Sequence, residues 1–207
     1  GSLLVATGNK GKLQEFRSLL TGLSIRAPAD VGLGNLRVEE TGDTFYDNAL
    51  LKAEAYATAS GLISVADDSG LEVDALDGRP GVQSARYGGP ELDDAGRYRH
   101  LLAELINVPP EARSARFRCC LVVFAPDGRL VTAAGICEGR ILMRPTGERG
   151  FGYDPVFLVP AYGRSMATLS RSEKSAIAIG GTRFGLVASS DGDLSRIVVK
   201  MKHRTII

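Results

Sequence analysis

The sequence predicts an α/β domain built on a mixed sheet, and three observations carry that expectation. Short apolar runs end in turns rich in glycine and asparagine. Stretches with the apolar spacing of helices separate these runs. A long apolar run, a Pro-Asp-Gly turn and a second extended run read as a hairpin. With 207 residues, 44% of them hydrophobic and 24% charged, the chain is large enough to bury a core as a single domain spanning 1–207.

The elements follow in order. Residues 3–6 form a short buried strand that ends in Thr7-Gly8-Asn9-Lys10-Gly11-Lys12. A helix follows, with Leu13, Phe16, Leu19 and Leu20 on one stripe. Residues 28–40 read as loop. Thr44-Phe45-Tyr46-Asp47 resembles a capping box and opens a helix with Phe45, Ala49, Ala53 and Ala57 on one face, ending near Gly61. Residues 62–66 make the next strand, which runs out into Asp67-Asp68-Ser69-Gly70, and residues 71–73 are short and extended. Residues 78–90 are broken by glycine and proline. Leu101, Leu102 and Leu105 mark a helix that stops before Pro109-Pro110. Residues 115–125 and 130–138 are the arms of the hairpin around Pro126-Asp127-Gly128-Arg129, and residues 145–155 are another glycine-rich loop. Ser170-Arg171-Ser172-Glu173 is a second capping box, so Lys174 falls in the first turn of a helix.

Charge excludes some partners. Against 24 Asp and Glu stand 25 Lys and Arg, a net charge of +1, so a general affinity for nucleic acid backbones has no support. No apolar run approaches a membrane span, and the opening residues lack a basic leader, so no membrane partner and a cytoplasmic location are expected. Cys119, Cys120 and Cys137 have neither disulfide nor zinc spacing and read as small buried residues in a reducing compartment.

Three segments carry chemistry. Thr7 to Lys12 lies directly after a strand and before a helix, where unpaired backbone N–H groups and the helix dipole welcome an anion. Gly8 and Gly11 allow close approach, Lys10 and Lys12 add charge, and Thr7 and Asn9 add hydrogen bonds. The Walker spacing is absent, so an ordinary glycine turn with two solvated lysines competes with this reading. Lys52 lies mid-helix beside an apolar face, where by its position alone a snorkelling surface lysine is the stronger reading. Asp67 and Asp68 are adjacent on extended chain, so their side chains point apart and serve two purposes rather than share a proton. Such oxygen ligands, with Glu39 and Glu40 from the earlier loop, suit Mg²⁺, which binds through one or two carboxylates plus substrate phosphates. Turn formation and helix capping also explain acids there. Gly150-Phe151-Gly152-Tyr153-Asp154-Pro155 offers aromatic faces on which a purine can stack, Phe151 more than Tyr153, which better suits the core.

Taken in chain order, these residues resemble the inosine/xanthosine triphosphate pyrophosphatases. The shared motifs are Thr7-Gly8-Asn9 with Lys12 and Glu15, Glu39-Glu40-Thr41-Gly42, Phe45 with Asn48-Ala49 and Lys52-Ala53, Ala66-Asp67-Asp68-Ser69-Gly70-Leu71, Pro80-Gly81 with Ser84-Ala85-Arg86-Tyr87, and the Gly150–Pro155 run. The resemblance implies an elongated central mixed sheet flanked by helices, two lobes with the active site in the cleft between them, and a homodimer. It implies Mg²⁺-dependent hydrolysis of ITP, dITP and XTP to the monophosphate and pyrophosphate. By the same resemblance, Thr7 to Lys12 hold the triphosphate and Lys52 is a further substrate contact. Glu39 and Asp68 bind the metal, and Asp68 accepts the proton of the attacking water. Ser69, Phe151, Gly152, Tyr153, Asp154 and Lys174 contact substrate. The exact ligands among Glu39, Glu40, Asp67 and Asp68 stay open. Selectivity would rest on hydrogen bonds to the 6-oxo group of the purine, which a 6-amino purine leaves unpaired.

The chain departs from the family after Ile177. Where the family continues Ser-His-Arg-Gly into a closing helix, this chain reads Ala178-Ile179-Gly180-Gly181-Thr182, so residues 178–207 form an atypical tail. The codons ATC AGC CAT CGG GGG encode Ile-Ser-His-Arg-Gly. Deleting one A yields Ile-Ala-Ile-Gly-Gly, which points to a one-base frameshift. If the tail is real, the base-reading His and Arg are missing, and His203-Arg204 lies far from their place. His100 lies in a polar helix stretch and reads as exposed. Two alternatives follow: a nucleotide-binding relic with little turnover, and a phosphomonoesterase, for which Asp67-Asp68-Ser69 lacks the D-x-D-x-T spacing.

Overall fold

The computed structural model describes residues 2–20 and 23–180. They contain strands β1 (Ser2–Val5), β2 (Ser24–Arg26), β3 (Ile63–Val73), β4 (Ser114–Phe124), β5 (Leu130–Ile141), β6 (Phe157–Val159) and β7 (Arg164–Ser165). The helices are α1 (Lys10–Leu19), α2 (Phe45–Ser60), α3 (Asp94–Glu104) and α4 (Arg171–Gly180). The sheet order is β2-β1-β3-β4-β5-β6-β7. β1 runs parallel to β2 and β3, while β6 runs antiparallel to β5 and β7, so the sheet is mixed as expected. The described residues fall into two compact units. The first has residues 2–68 with Cys119–Gly135, and the second has Ser69–Arg118 with residues 136–180.

The first unit is built on one apolar cluster. Leu3 and Val5 of β1, Val65 of β3, Leu121 and Val123 of β4 and Val131 of β5 meet Phe16 and Leu20 beside α1. Leu13 packs against the same cluster, so Leu13, Phe16 and Leu20 of the predicted stripe face the sheet. Asn9 caps α1, its Oδ1 accepting from the N–H groups of Gly11 at 2.8 Å and Lys12 at 3.2 Å. Thr44 caps α2, its hydroxyl oxygen accepting from Asp47 N–H at 3.1 Å, and Gly61 ends the helix with a left-handed φ of 68°. Phe45, Ala49, Ala53 and Ala57 are all buried, as their spacing predicted.

In the second unit, Leu101 and Leu105 anchor α3 in the interior. Arg113 is buried because its guanidinium donates to the carbonyls of Leu105, Val108 and Leu142. The Phe117 and Phe157 rings pack with centroids 4.5 Å apart. At the start of α4, Ser170 N–H donates to Glu173 Oε2 at 2.8 Å and Glu173 N–H donates to Ser170 Oγ at 3.2 Å, which completes the predicted capping box.

Three features differ from the sequence reading. β3 does not stop at Ala66: it continues through Asp67, Asp68, Ser69 and Gly70 to Val73, so the two acids sit inside a strand. β5 extends to Ile141 rather than 138. β2, β6 and β7 are too short, at two or three residues each, to leave a periodic signal. All three cysteines are free and buried. No helix among the described residues is long and apolar enough to cross a membrane.

Candidate active site

The first unit holds a cavity of about 620 Å³. Of the predicted anion turn, Thr7, Gly8, Asn9, Lys10 and Lys12 line it, and Gly11 sits one residue into α1. Local hydrogen bonds fix the turn. Asn9 N–H donates to Thr7 Oγ1 at 3.1 Å while Asn9 Oδ1 caps the helix. Glu40, Lys52, Tyr56 and Asp67 line the same cavity. Tyr56 is held there by donating its phenol hydrogen to the Leu36 carbonyl at 3.0 Å.

Alternation along β3 separates the two acids, as their adjacency predicted. Asp67 is buried and receives the Lys12 ammonium at 2.5 Å. Burial opposes the Lys12 charge, yet the Asp67 carboxylate outweighs it and holds Lys12 above the ordinary lysine range. Asp68 faces a different set. The Lys52 ammonium lies 3.6 Å from Asp68 and 2.6 Å from Glu40, and the Asn48 amide donates to Asp68 Oδ2 at 3.3 Å. Burial pushes Asp68 above the usual carboxylate range, against the pull of Lys52.

A single ammonium thus stands between Glu40 and Asp68. The pair already supports one positive charge and presents hard oxygen donors, so its chemistry fits a divalent cation that completes its shell with phosphate and water. No cluster of three or more His, Cys, Asp or Glu able to hold a metal occurs among the described residues. Glu39 is exposed and is not among the cavity-lining residues, whereas Glu40 is half-buried on the wall. Gly42 sets the approach of this segment. Its N–H donates to Asn48 Oδ1 at 2.8 Å, and a Cβ there would meet Asp47 at 2.5 Å.

The second unit carries the aromatic loop. Phe151 is 64% exposed, while Tyr153 is buried and donates its phenol hydrogen to the Ser84 carbonyl at 2.9 Å. That division matches the expectation from the sequence. Asp154 is buried and pairs with the Lys174 ammonium at 2.7 Å. Burial raises its pKa although Lys174 opposes the shift. Gly150 makes this pair possible: its φ is 91°, and a Cβ there would collide with the Asp154 carboxylate and stand 2.8 Å from Lys174 Nζ. Ser69, half-buried, follows Asp68 in β3. His100 is exposed on α3, edge-on to Tyr87.

Two groupings emerge. Thr7 to Lys12, Lys52 and Asp68 share the first unit with Glu40. Phe151, Gly152, Tyr153 and Asp154 share the second with Lys174. Sequence reasoning gave no role to Asn48, which joins Gly42 to Asp68 and is fully buried. Its signal was available: Phe45, Asn48, Ala49, Lys52, Ala53 and Tyr56 follow helical spacing, with two polar residues on an otherwise apolar stripe. The expected loss of the Ser-His-Arg segment and His203-Arg204 concern the tail, of which residues 181–207 lie outside the described residues.

Comparison with known proteins gives the family. The model of the Ham1 family matches residues 3–182. The dITP/XTP pyrophosphatase of Desulforamulus reducens is 48% identical over 179 residues, which cover 84% of this chain and 88% of that protein. The dITP/XTP pyrophosphatase of Bacillus subtilis is 46% identical over 176 residues, with 84% and 88% covered. Among solved structures, the Staphylococcus aureus Ham1 protein matches with a TM-score of 0.80 at 39% identity, covering 84% of this chain and 90% of its own. With the family model matched over most of its length and relatives near half identical, the chain belongs to the Ham1 family.

Proposed function

We propose that the chain hydrolyses noncanonical purine nucleoside triphosphates (ITP, dITP and XTP) to the nucleoside monophosphate and pyrophosphate. One observation carries the reading. A glycine-bearing cationic turn lines the same cavity as Glu40 and Lys52, and Lys52 in turn joins Glu40 to Asp68. That combination suits a polyphosphate and a cation together. The relatives' shared name, dITP/XTP pyrophosphatase, supplies the substrate class.

Mg²⁺ is the proposed cofactor, held by Asp68 and Glu40, with Glu39 as the sequence-derived alternative to Glu40. When bound it would neutralise phosphate charge and ease departure of pyrophosphate. Lys10 and Lys12 with the backbone of Gly8 and Gly11 hold the phosphates, and Thr7 and Asn9 keep the turn in shape. Asp68 takes the proton of a water that attacks the α-phosphorus, and the bond from that phosphorus to the bridging oxygen breaks. A carboxylate whose pKa burial raises is a stronger base than a solvated one. Asp67 keeps Lys12 charged and placed. Phe151 offers a stacking face to the purine, and Asp154 with Lys174 supplies polar contacts. Ser69 and Lys52 complete the proposed substrate contacts. We carry a homodimer and a cytoplasmic location as parts of the same reading.

The test is an assay of purified protein on ITP, XTP, GTP and ATP with Mg²⁺, with pyrophosphate and orthophosphate measured separately. Pyrophosphate from ITP and XTP is the expected product. Orthophosphate alone would replace the reading by a phosphomonoesterase, and tight ITP binding without turnover would replace it by a relic. The retained Asp68, Glu40 and Lys12 argue against the relic. We propose further that the tail after Ile177 reflects a one-base frameshift. The family match ends at residue 182, in keeping with this. Sequencing the locus afresh decides it, because an intact frame with no Ser-His-Arg in the neighbouring frame would remove the idea. A true tail predicts weak discrimination of ITP from ATP.

A further inference from the structure

We propose that Asp94, backed by the buried Arg97, is a positioning residue that sets the presentation of Phe151 and thereby the grip on the purine. The proposal rests on the reading of the Phe151 loop as the base contact. It adds two residues of α3 that the motif-based reading leaves out.

The loop from Gly150 to Asp154 has few internal constraints. Gly150 and Gly152 both adopt positive φ, 91° and 58°, conformations that glycine visits without a side chain to lock them. Inside the loop, Phe151 N–H reaches Asp154 Oδ2 at 3.4 Å and the Phe151 carbonyl accepts from Asp154 N–H at 3.2 Å, both long bonds. Tyr153 is anchored through Ser84, but that bond fixes the far side of Gly152. The Phe151–Gly152 peptide has a shorter tether. Gly152 N–H donates to Asp94 Oδ2 at 2.7 Å, across 58 residues of sequence. A peptide is planar, so fixing the Gly152 N–H fixes the carbonyl of Phe151 and limits the directions its ring can take. Phe151 itself is 64% exposed, and no described hydrogen bond or ring contact steadies its side chain.

Arg97 explains why the acceptor is reliable. It lies one helical turn after Asp94, with its guanidinium 3.6 Å from Asp94 Oδ1. Its Nη2 donates to the Leu92 carbonyl at 2.8 Å. The residue is 8% exposed, and its Nε has no partner. Burying a guanidinium with an unfilled donor is costly unless its charge is used. The charge has a use here: it faces Asp94, the carboxylate that holds the loop. Asp94 is also in the first turn of α3, where the helix dipole favours a carboxylate. The acceptor is thus oriented from two sides while its own side chain stays 56% exposed, so removing it leaves the core intact.

The chain has no tryptophan, which gives a direct readout. Phe151→Trp introduces a sole tryptophan at the loop, excited apart from the six tyrosines at the red edge of its absorption, and acrylamide quenching and anisotropy report how firmly it is held. Adding Asp94→Ala is expected to raise quenching and lower anisotropy, while adding Asp94→Asn, which keeps an oxygen acceptor, stays close to the parent. In the native background, Asp94→Ala is expected to raise KM for ITP about tenfold with little change in kcat, and Asp94→Asn to recover most of that loss. Arg97→Met should reproduce a part of the Asp94→Ala effect on quenching. Unchanged quenching and KM in Asp94→Ala overturn the proposal. So does equal damage in Asp94→Ala and Asp94→Asn with a fall in Tm, which marks a structural charge. If the unaltered protein fails to hydrolyse ITP, the functional reading fails, and the fluorescence comparison still decides whether Asp94 positions the loop.

Discussion

In the first unit the chemical side chains rise from a strand and two helices, whereas in the second they sit on a glycine loop. The two regions manage charge differently as a result. Asp67 and Asp68 project from opposite faces of β3, and each has its own lysine, from α1 and α2 respectively. Regular elements therefore place Lys12, Lys52 and both acids before any ligand arrives, which is the preorganisation that phosphoryl chemistry demands. Among the described residues, the loop has a single ion pair, Asp154 with Lys174, and an exposed ring. Its order depends on glycines that make room and on tethers to Asp94 of α3 and to the Ser84 carbonyl. The comparison implies that damage in the first unit falls on the chemical step and on folding, and that damage in the second falls on affinity.

The largest expected effect breaks the first unit. Asp68→Asn removes the proposed base and should lower kcat by about a thousandfold, within the range for loss of general base catalysis, with KM for ITP little changed. A KM effect without loss of kcat would move the base elsewhere. Lys12→Met comes next. It strands Asp67, 4% exposed, without its partner, and breaking such a pair costs about 3 kcal/mol. Urea unfolding should show that loss, and steady-state kinetics a drop in both kcat and affinity. If stability stays put, Asp67 finds another partner and the paired-charge account of this region is wrong. A smaller effect belongs to the loop. Gly150→Ala inserts a methyl group against Asp154 and strains a positive φ, so KM for ITP should rise about tenfold while kcat holds, the signature of lost ground-state binding. A fall in kcat alone would erase the distinction between the two regions.

How much of this was legible beforehand follows the same division. The turn from Thr7 to Lys12, the alternating acids and both helix N-caps could be read because their causes are local: a strand end, a period of two, a four-residue cap signal. Phe151 and Tyr153 could be ranked from glycine flanks alone. Asn48 was passed over because its role depends on Gly42 and Asp68, 6 and 20 residues away, and spacing does not announce tertiary partners. Glu39 and Glu40 are indistinguishable as neighbours in a loop. The fold separates them by leaving Glu39 exposed and putting Glu40 against Lys52. β2 escaped notice because three residues with only Ile25 turned inward give no pattern, and they become a strand only through pairing with β1. The continuation of β3 through Asp67-Asp68-Ser69-Gly70 was hidden for a related reason. Polar residues and glycine signal a turn by themselves, and here sheet pairing and paired lysines override them.

The smallest effect probes what the two regions share. Asp68 and Asp154 each face a lysine, and burial nonetheless raises both carboxyls above their ordinary range. In the unfolded chain such a carboxyl loses its proton at the usual pH. In the folded protein it keeps the proton longer. Between those two points the native state binds more protons than the unfolded state, so this carboxyl makes stability fall as pH rises, and the loss is complete above its raised native value. Asp154→Asn, neutral throughout, escapes that loss. The Tm difference between Asp154→Asn and the unaltered protein should be small at acidic pH and climb in favour of Asp154→Asn as pH passes upward through the carboxylate range, then level off. Asp68→Asn should trace the same curve from the other unit. A difference that runs the opposite way at Asp154 alone would mean that Lys174 outweighs burial there. The loop would then hold a stabilising ion pair, and only the strand-borne Asp68 would carry the strain of a buried charge kept for reaction.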